Sequence, residues 1–128
     1  MFRLTPLFDL TGRTALVTGG NGGIGIGMAG ASVVIVARRE QTLREAAEGL
    51  MGEEIEADIV PADLASPDAG THLASACERL GRSIDILVNV AGLNLRQPFM
   101  QVTAEAFDLH MAVHLRAPFL LTQAFAPG

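Results

Sequence analysis

The 128-residue sequence contains no tyrosine, no tryptophan and no lysine, and its single cysteine is Cys77. One cysteine excludes a disulfide within the chain and suits a reducing compartment. No apolar run approaches the ~20 residues that a membrane-spanning helix needs. The apolar stretch at the N-terminus is too short for a signal peptide. We therefore expect a cytoplasmic protein with no membrane partner, in which Cys77 is a small buried core residue.

Basic residues are also scarce. The chain has nine arginines and 14 acidic residues, which gives a net charge of −5. This balance disfavours nucleic acid as the main partner. Apolar residues make up 49 % of the chain, enough for one compact core at this length. There are no internal repeats or linkers, so residues 1–128 are expected to form a single domain.

Strand-like and helix-like segments alternate along the chain. The predicted strands are 13–19, 32–38, 54–64 and 84–92. The predicted helices are 39–52, 66–81 and a long one from Thr103, which Pro118 should bend. Such alternation predicts an α/β protein with a doubly wound, Rossmann-like parallel sheet. We expect it to be truncated to about four strands in the order 3-2-1-4.

Glycine is concentrated in one place: seven glycines occupy the twelve positions from Gly19 to Gly30. A glycine loop between a strand and a helix lets backbone N–H groups approach a pyrophosphate. The run fits more than one glycine template, and the Gly-Lys-Ser/Thr of the nucleoside triphosphatase loop is absent. A flexible turn without a ligand is the alternative. The preceding strand and the apolar residues that follow favour nucleotide binding.

The end of the second predicted strand distinguishes among nucleotides. An acidic residue there would bind a ribose diol, as in NAD sites. The strand instead ends with Arg38 and Arg39, and arginine can pair with a ribose 2′-phosphate. We assign this role to Arg38 and interpret Arg39 as a solvated residue that begins a helix. The sequence thus favours NADP over NAD.

Four motifs in register resemble the short-chain dehydrogenase/reductase family. They are Thr18-Gly19-(x)3-Gly23-Ile24-Gly25, Asp63-Leu64, Asn89-Val90-Ala91-Gly92 and the helical segment 113–124. The resemblance covers the amino-terminal half of that family and implies hydride transfer between a nicotinamide cofactor and a carbonyl or alcohol substrate. The residues that it implies for cofactor binding, with Arg38 added from the preceding argument, are Thr18, Gly19, Asn21, Gly23, Ile24, Gly25, Arg38, Asp63, Leu64, Asn89, Ala91 and Gly92.

The resemblance also implies a homo-oligomer formed through the helix of residues 103–126. Segment 92–99 is similar to members that act on sugars or sugar acids. His114 takes the place of an asparagine that usually holds a water-linked proton relay. Either a relay role or a histidine satisfied within the helix face fits that position, and we name His114 as the candidate catalytic residue. No metal ligand set is expected.

Three departures from the family pattern bear on activity. Val90 replaces an asparagine. The serine and the Tyr-x-x-x-Lys that carry catalysis in this family lie beyond Gly128. The crossover from Gly19 to Ser32 is also shortened, by about two helical turns after Ala29. We therefore expect a fragment that does not turn over by itself. The alternatives are a non-catalytic nucleotide-binding or dimerisation module, and an unfolded remnant.

Overall fold

A computed structural model describes residues 9–19, 27, 30–92 and 96–127. Its four strands are β1 (Thr14–Thr18), β2 (Ser32–Ala37), β3 (Ala57–Pro61) and β4 (Ile86–Asn89). All neighbouring strands are parallel, in the order β3-β2-β1-β4. The predicted α/β fold and strand order are therefore confirmed.

Four α-helices and two other helical segments accompany the sheet. The α-helices are α1 (Glu40–Gly52), α2 (Ala69–Arg79), α3 (Ala104–Met111) and α4 (Ala117–Phe125). A 3₁₀ turn covers Phe99–Gln101, and a π-helix covers Ala112–Arg116. No helix among the described residues is long and apolar enough to cross a bilayer.

The sheet is covered on both faces, because side chains alternate along each strand. One face of β1 and β2 packs against α2 and α4 through Leu73 and Leu121. The other face packs against α1 through Leu43 and Leu50. Cys77 is buried in the first of these cores, and burial raises the pKa of its thiol. Cys77 is thus a core residue, as predicted.

Two strands end earlier than the sequence pattern indicated, and the residues that follow them lie at the carboxyl edge of the sheet. The predicted strand 84–92 stops at Asn89, because the N–H groups of Val90 and Ala91 turn towards Thr18. The predicted strand 54–64 stops at Pro61. Beyond it, the Asp63 carboxylate accepts a hydrogen bond from the N–H of Ala65 and holds a turn. Polar side chains near each strand end therefore compete with the sheet for backbone donors.

The long predicted helix is interrupted rather than continuous. The N–H of Ala117 donates to the carbonyl of Ala112, five residues earlier, as in a π-helix. Proline cannot donate a hydrogen bond and its ring clashes with the carbonyl four residues before it. Pro118 therefore explains why regular α-helical bonding gives way in the preceding turn. The structure thus has a π-helix just before Pro118, and the predicted bend stays a prediction.

The short crossover between β1 and β2 still closes. Thr14 pairs with Ser32 and Thr18 with Val36, so the two strands run parallel in full register. Within the crossover the structure describes Gly19, Gly27, Gly30 and Ala31, and Gly27 is helical and buried. A Cβ atom at Gly27 would lie 2.4 Å from Cγ2 of Ile55. The crossover thus packs against Ile55, two residues before β3, at a distance that only glycine permits.

An ionic cluster joins strands at the opposite end of the sheet from the glycine loop. The Arg82 guanidinium contacts Asp58 at 2.8 Å and Glu56 at 2.6 Å, and the Ser32 hydroxyl donates to Glu56 at 3.1 Å. Arg82 lowers the pKa of Glu56, and both carboxylates raise the pKa of Arg82. This cluster stabilises the start of β2 and β3.

We predict that Gly27→Ala destabilises the protein by about 1–2 kcal/mol. The overpacking against Ile55 should exceed the ~1 kcal/mol that alanine gains over glycine in a helix. Gly49→Ala is the matched control, because Gly49 lies in α1 and a Cβ there would meet nothing within 4 Å. Urea unfolding should show Gly49→Ala to be neutral or stabilising. Equal midpoints for both variants would contradict the tight crossover packing.

Candidate functional site

A cavity of about 400 Å³ lies at the carboxyl ends of the four strands. Its volume falls within the range for small-molecule sites, and its position is the one that ligands occupy in open parallel sheets. It is lined by Gly19, Ala37, Arg38, Ala62, Asp63, Leu64, Ala65, Val90, Ala91, Gly92, Leu109 and Val113. Six residues named from the sequence are therefore brought together here: Gly19, Arg38, Asp63, Leu64, Ala91 and Gly92.

The other sequence-predicted residues lie elsewhere or outside the described residues. Thr18 sits behind the cavity wall. Asn89 borders a different cavity of about 470 Å³, beside β4 and the end of α4. Asn21, Gly23, Ile24 and Gly25 fall among the residues that the structure does not describe. The expectation that residues Gly19 to Gly25 join β1 to a helix N-terminus stays a prediction for the same reason.

Thr18 holds the cavity wall together. Its side chain is buried and its hydroxyl accepts hydrogen bonds from the N–H groups of Val90 and Ala91, both at 3.2 Å. The Thr18 carbonyl also accepts from Val90. These bonds fix the chain after β4 against the end of β1. The geometry gives Thr18 a supporting position, and direct contact between Thr18 and a cofactor stays a prediction.

Two glycines bring main chain close to neighbouring groups at the cavity. Gly19 has a φ of +88°, a conformation that residues with a side chain rarely adopt. A Cβ there would also lie 3.2 Å from the nitrogen of Ala91. At Gly92 a Cβ would lie 2.7 Å from Cε1 of His114. The cavity wall between β1 and β4 is therefore bare backbone, which a bulky anionic group can approach closely.

Charged side chains of both signs border the cavity. Arg38 follows β2 directly, is exposed, and forms no ion pair with any described residue. Asp63 is exposed as well, but one of its carboxylate oxygens is engaged by Ala65 at 3.0 Å. Leu64 is 9 % exposed and forms an apolar part of the wall. The arrangement offers one cation, one carboxylate and an apolar surface around glycine backbone.

His114 lies at the edge of this site, on the π-helix. Its ring faces Gly92 and stacks on His110, with ring centroids 5.5 Å apart and planes at 29°. The π-helix thus places an imidazole beside the chain that follows β4. No group of three or more His, Cys, Asp or Glu side chains suited to a metal ion occurs among the described residues.

Three residues of the long helix lie at the cavity without having been predicted from the sequence. Leu109 and Val113 line the cavity, and the Arg116 guanidinium donates a hydrogen bond to the carbonyl of Ala65 in its wall. Their spacing of four and then three residues is typical of one helix face. The spacing could have indicated these three residues only if the helix face that meets the cavity had already been known.

The strand order and the helices on both faces define a Rossmann-like α/β protein. A model of the short chain dehydrogenase family matches residues 13–128, so this chain belongs to that family. The predicted family resemblance is thereby confirmed.

Individual relatives cover nearly all of this chain. It is 36 % identical to gluconate 5-dehydrogenase of Gluconobacter oxydans over 94 % of its length and 49 % of the relative's. It is 39 % identical to L-xylulose reductase of Mesocricetus auratus over 93 % of its length and 48 % of the relative's. The chain therefore spans about half the length of these relatives.

A similar solved structure holds a nicotinamide cofactor. The 3-oxoacyl (acyl-carrier-protein) reductase of Agrobacterium tumefaciens with NADP bound superposes with a TM-score of 0.85 at 29 % identity. The match covers 98 % of this chain and 50 % of that one.

We predict that Thr18→Val destabilises the protein by about 1–3 kcal/mol, because the N–H groups of Val90 and Ala91 lose their buried acceptor. Thr18→Ser keeps the hydroxyl and should lose much less. Urea unfolding followed by circular dichroism compares the two variants. A valine variant as stable as the serine variant would show that the hydroxyl does not hold the cavity wall.

Proposed function

We propose that the complete protein is an NADP(H)-dependent oxidoreductase that transfers a hydride between the nicotinamide and a carbonyl or alcohol group of a small molecule. The observation that carries this proposal is the cavity at the strand ends, where bare glycine backbone, Arg38 and Asp63 converge. Membership of the short chain dehydrogenase family supports the same reaction class.

The residues of this chain fit a dinucleotide phosphate. The backbone at Gly19 and the glycine loop of Asn21, Gly23, Ile24 and Gly25 would hold the pyrophosphate. Arg38 would pair with the ribose 2′-phosphate, since its guanidinium is exposed at the cavity and carries five donors. When bound, NADP supplies or accepts the hydride. NAD lacks the 2′-phosphate and should bind less tightly.

The remaining predicted contacts lie towards the adenine and along the sheet. Asp63 and Leu64 would contact the adenine, and both line the cavity. Ala91 and Gly92 would lie along the cofactor, with Asn89 supporting the strand end. Thr18 would act through these main-chain groups, given its hydrogen bonds to them. His114 would hold a water of the proton relay beside Gly92.

The 128 residues are proposed to bind the cofactor without catalysing turnover. General acid–base catalysis at the substrate oxygen needs a side chain with a suitable pKa within hydrogen-bond reach. The sequence has no tyrosine and no lysine, so the pair that does this work in the family is missing. A non-catalytic nucleotide-binding module is therefore the second candidate function for this chain by itself.

A sugar or sugar acid is the proposed substrate of the complete protein. This rests on two of the similar proteins, gluconate 5-dehydrogenase and L-xylulose reductase. Segment 92–99 supports it as well, because it resembles the same members and begins at the cavity with Gly92.

The long helix is proposed to pair with a second copy of the chain. Met111, Leu115 and Phe119 are 41 %, 61 % and 64 % exposed, and they border a surface groove of about 610 Å³. Their spacing of four residues puts them on one side of the helix, and contiguous exposed apolar side chains of this kind mark interaction surfaces.

We predict that Arg38→Met weakens NADPH binding roughly 10- to 100-fold, because a charge-assisted contact to the 2′-phosphate is lost. Binding of NADH should hardly change. Arg38→Asp should shift the preference towards NADH, because a carboxylate can accept bonds from a ribose diol. Titration of cofactor fluorescence with the purified wild type and both variants measures all six affinities.

Arg39→Met is the matched control for this experiment, since Arg39 is also exposed but does not line the cavity. It should leave both affinities unchanged. NADPH affinity that is equal in the wild type and Arg38→Met would overturn the 2′-phosphate assignment. Failure of the wild type to bind either cofactor would overturn the proposed function of this chain.

We predict that Leu115→Glu shifts the chain from dimer to monomer, because a charge on the exposed apolar face opposes burial against a second copy. Gln123→Glu adds the same charge at an exposed position outside the groove and should leave association intact. Sedimentation velocity measures the mass of each variant. A wild type that stays monomeric at all concentrations tested contradicts the proposal.

A further inference from the structure

Arg116 borders both the cavity and the apolar groove. Its guanidinium donates to the carbonyl of Ala65, which lines the cavity. Its side chain also lines the groove with Met111, Leu115 and Phe119. The contact joins positions 51 residues apart in the sequence. One exposed side chain therefore spans the distance between the proposed cofactor site and the proposed association surface.

The segment that Arg116 contacts is a turn without regular secondary structure, between β3 and α2. Asp63 accepts hydrogen bonds from the N–H of Ala65 through its carboxylate and from the N–H of Ser66 through its carbonyl, both at 3.0 Å. These bonds shape the turn from within. The bond from Arg116 links the long helix to this turn, so its loss should loosen the Asp63–Ala65 wall.

We propose that Arg116 is a positioning residue that couples dinucleotide binding to association through the groove. This inference rests on the proposed function. An exposed arginine loses rotamer freedom when it holds one acceptor. If a second copy covers the groove, the stem of Arg116 is packed and much of that freedom is already lost. The bond to Ala65 then forms at a smaller entropic cost, and the wall is better ordered for the cofactor.

Such coupling is reciprocal, because both equilibria share the same ordered state. The dimer should bind NADPH more tightly than the monomer, and NADPH should favour the dimer by the same factor. We expect a factor of about 5–20, within the usual range for coupled sites.

Arg116→Met tests the coupling, because methionine keeps an apolar stem in the groove and removes every donor. Cofactor fluorescence gives the NADPH dissociation constant at protein concentrations below and above the association midpoint, which sedimentation velocity determines. The wild type should show two different constants. Arg116→Met should show one weaker constant at both concentrations, and Arg116→Lys should restore part of the difference through its single ammonium group.

Hydrogen exchange in the absence of cofactor provides a second readout. Arg116→Met should speed exchange of the Ala65 and Ser66 amides severalfold and leave the amide of Leu73, in the core helix α2, unchanged. Faster exchange at all three amides would indicate general destabilisation and overturn the positioning role.

The outcomes separate the two proposals. If the wild type binds NADPH, but Arg116→Met binds it with the same concentration dependence, the coupling is wrong and the proposed function stands. If the wild-type monomer and the wild-type dimer bind NADPH with the same affinity, the coupling alone is overturned. If the wild type binds no NADPH at either concentration, the proposed function of this chain and the coupling fail together.

Discussion

The cavity depends on the way Thr18 joins the ends of β1 and β4. Parallel strands in register bring their carboxyl ends to one edge, but register alone does not set how the chain leaves each strand. The buried hydroxyl of Thr18 accepts hydrogen bonds from the N–H groups of Val90 and Ala91, and the Thr18 carbonyl also accepts from Val90. The chain after Asn89 therefore lies against Gly19, and that proximity creates the bare wall of the cavity. A residue with a side chain at position 19 is opposed both by the positive φ and by the nearby Ala91 backbone.

Glycine has two separate functions in this chain. At the cavity wall, the absence of a Cβ lets the backbone of Ala91 lie close to Gly19 and the ring of His114 lie close to Gly92. At Gly27 the absence of a Cβ lets the short crossover lie directly against the side chain of Ile55. A glycine-dense segment in a Rossmann-like sheet therefore does not by itself indicate a ligand. A ligand site is supported instead by the glycines at the strand ends, because Arg38 and Asp63 line the same cavity.

Local patterns in the sequence predicted the strands and the parallel sheet, because alternation and periodicity act over a few neighbouring residues. Of the six predicted residues that meet at the cavity, Arg38 was named from the end of the second predicted strand and the others from the family resemblance. Local patterns did not predict the contacts that cross the chain. The hydroxyl of Thr18 meets residues 72 and 73 positions away, and Arg116 meets Ala65 51 positions away. The early end of β4 and the proposed role of Arg116 follow from such contacts. The position of Pro118 was informative about the interruption of the long helix, but the π-helix form required the backbone itself.

Cofactor binding and proton transfer make different physical demands, and under the proposed function this chain meets only the first. A dinucleotide is held mainly by main-chain N–H groups at strand ends and by an exposed cation, all of which a four-stranded sheet can supply. Proton transfer at a substrate oxygen requires a titratable side chain aimed at one atom. Among the described residues, the side chains near the cavity that could carry a proton include Asp63, which accepts a hydrogen bond from the N–H of Ala65, and His114, which faces Gly92 and stacks on His110. Under the proposed function, different parts of the complete protein meet these two demands, so cofactor binding and hydride transfer can be tested separately.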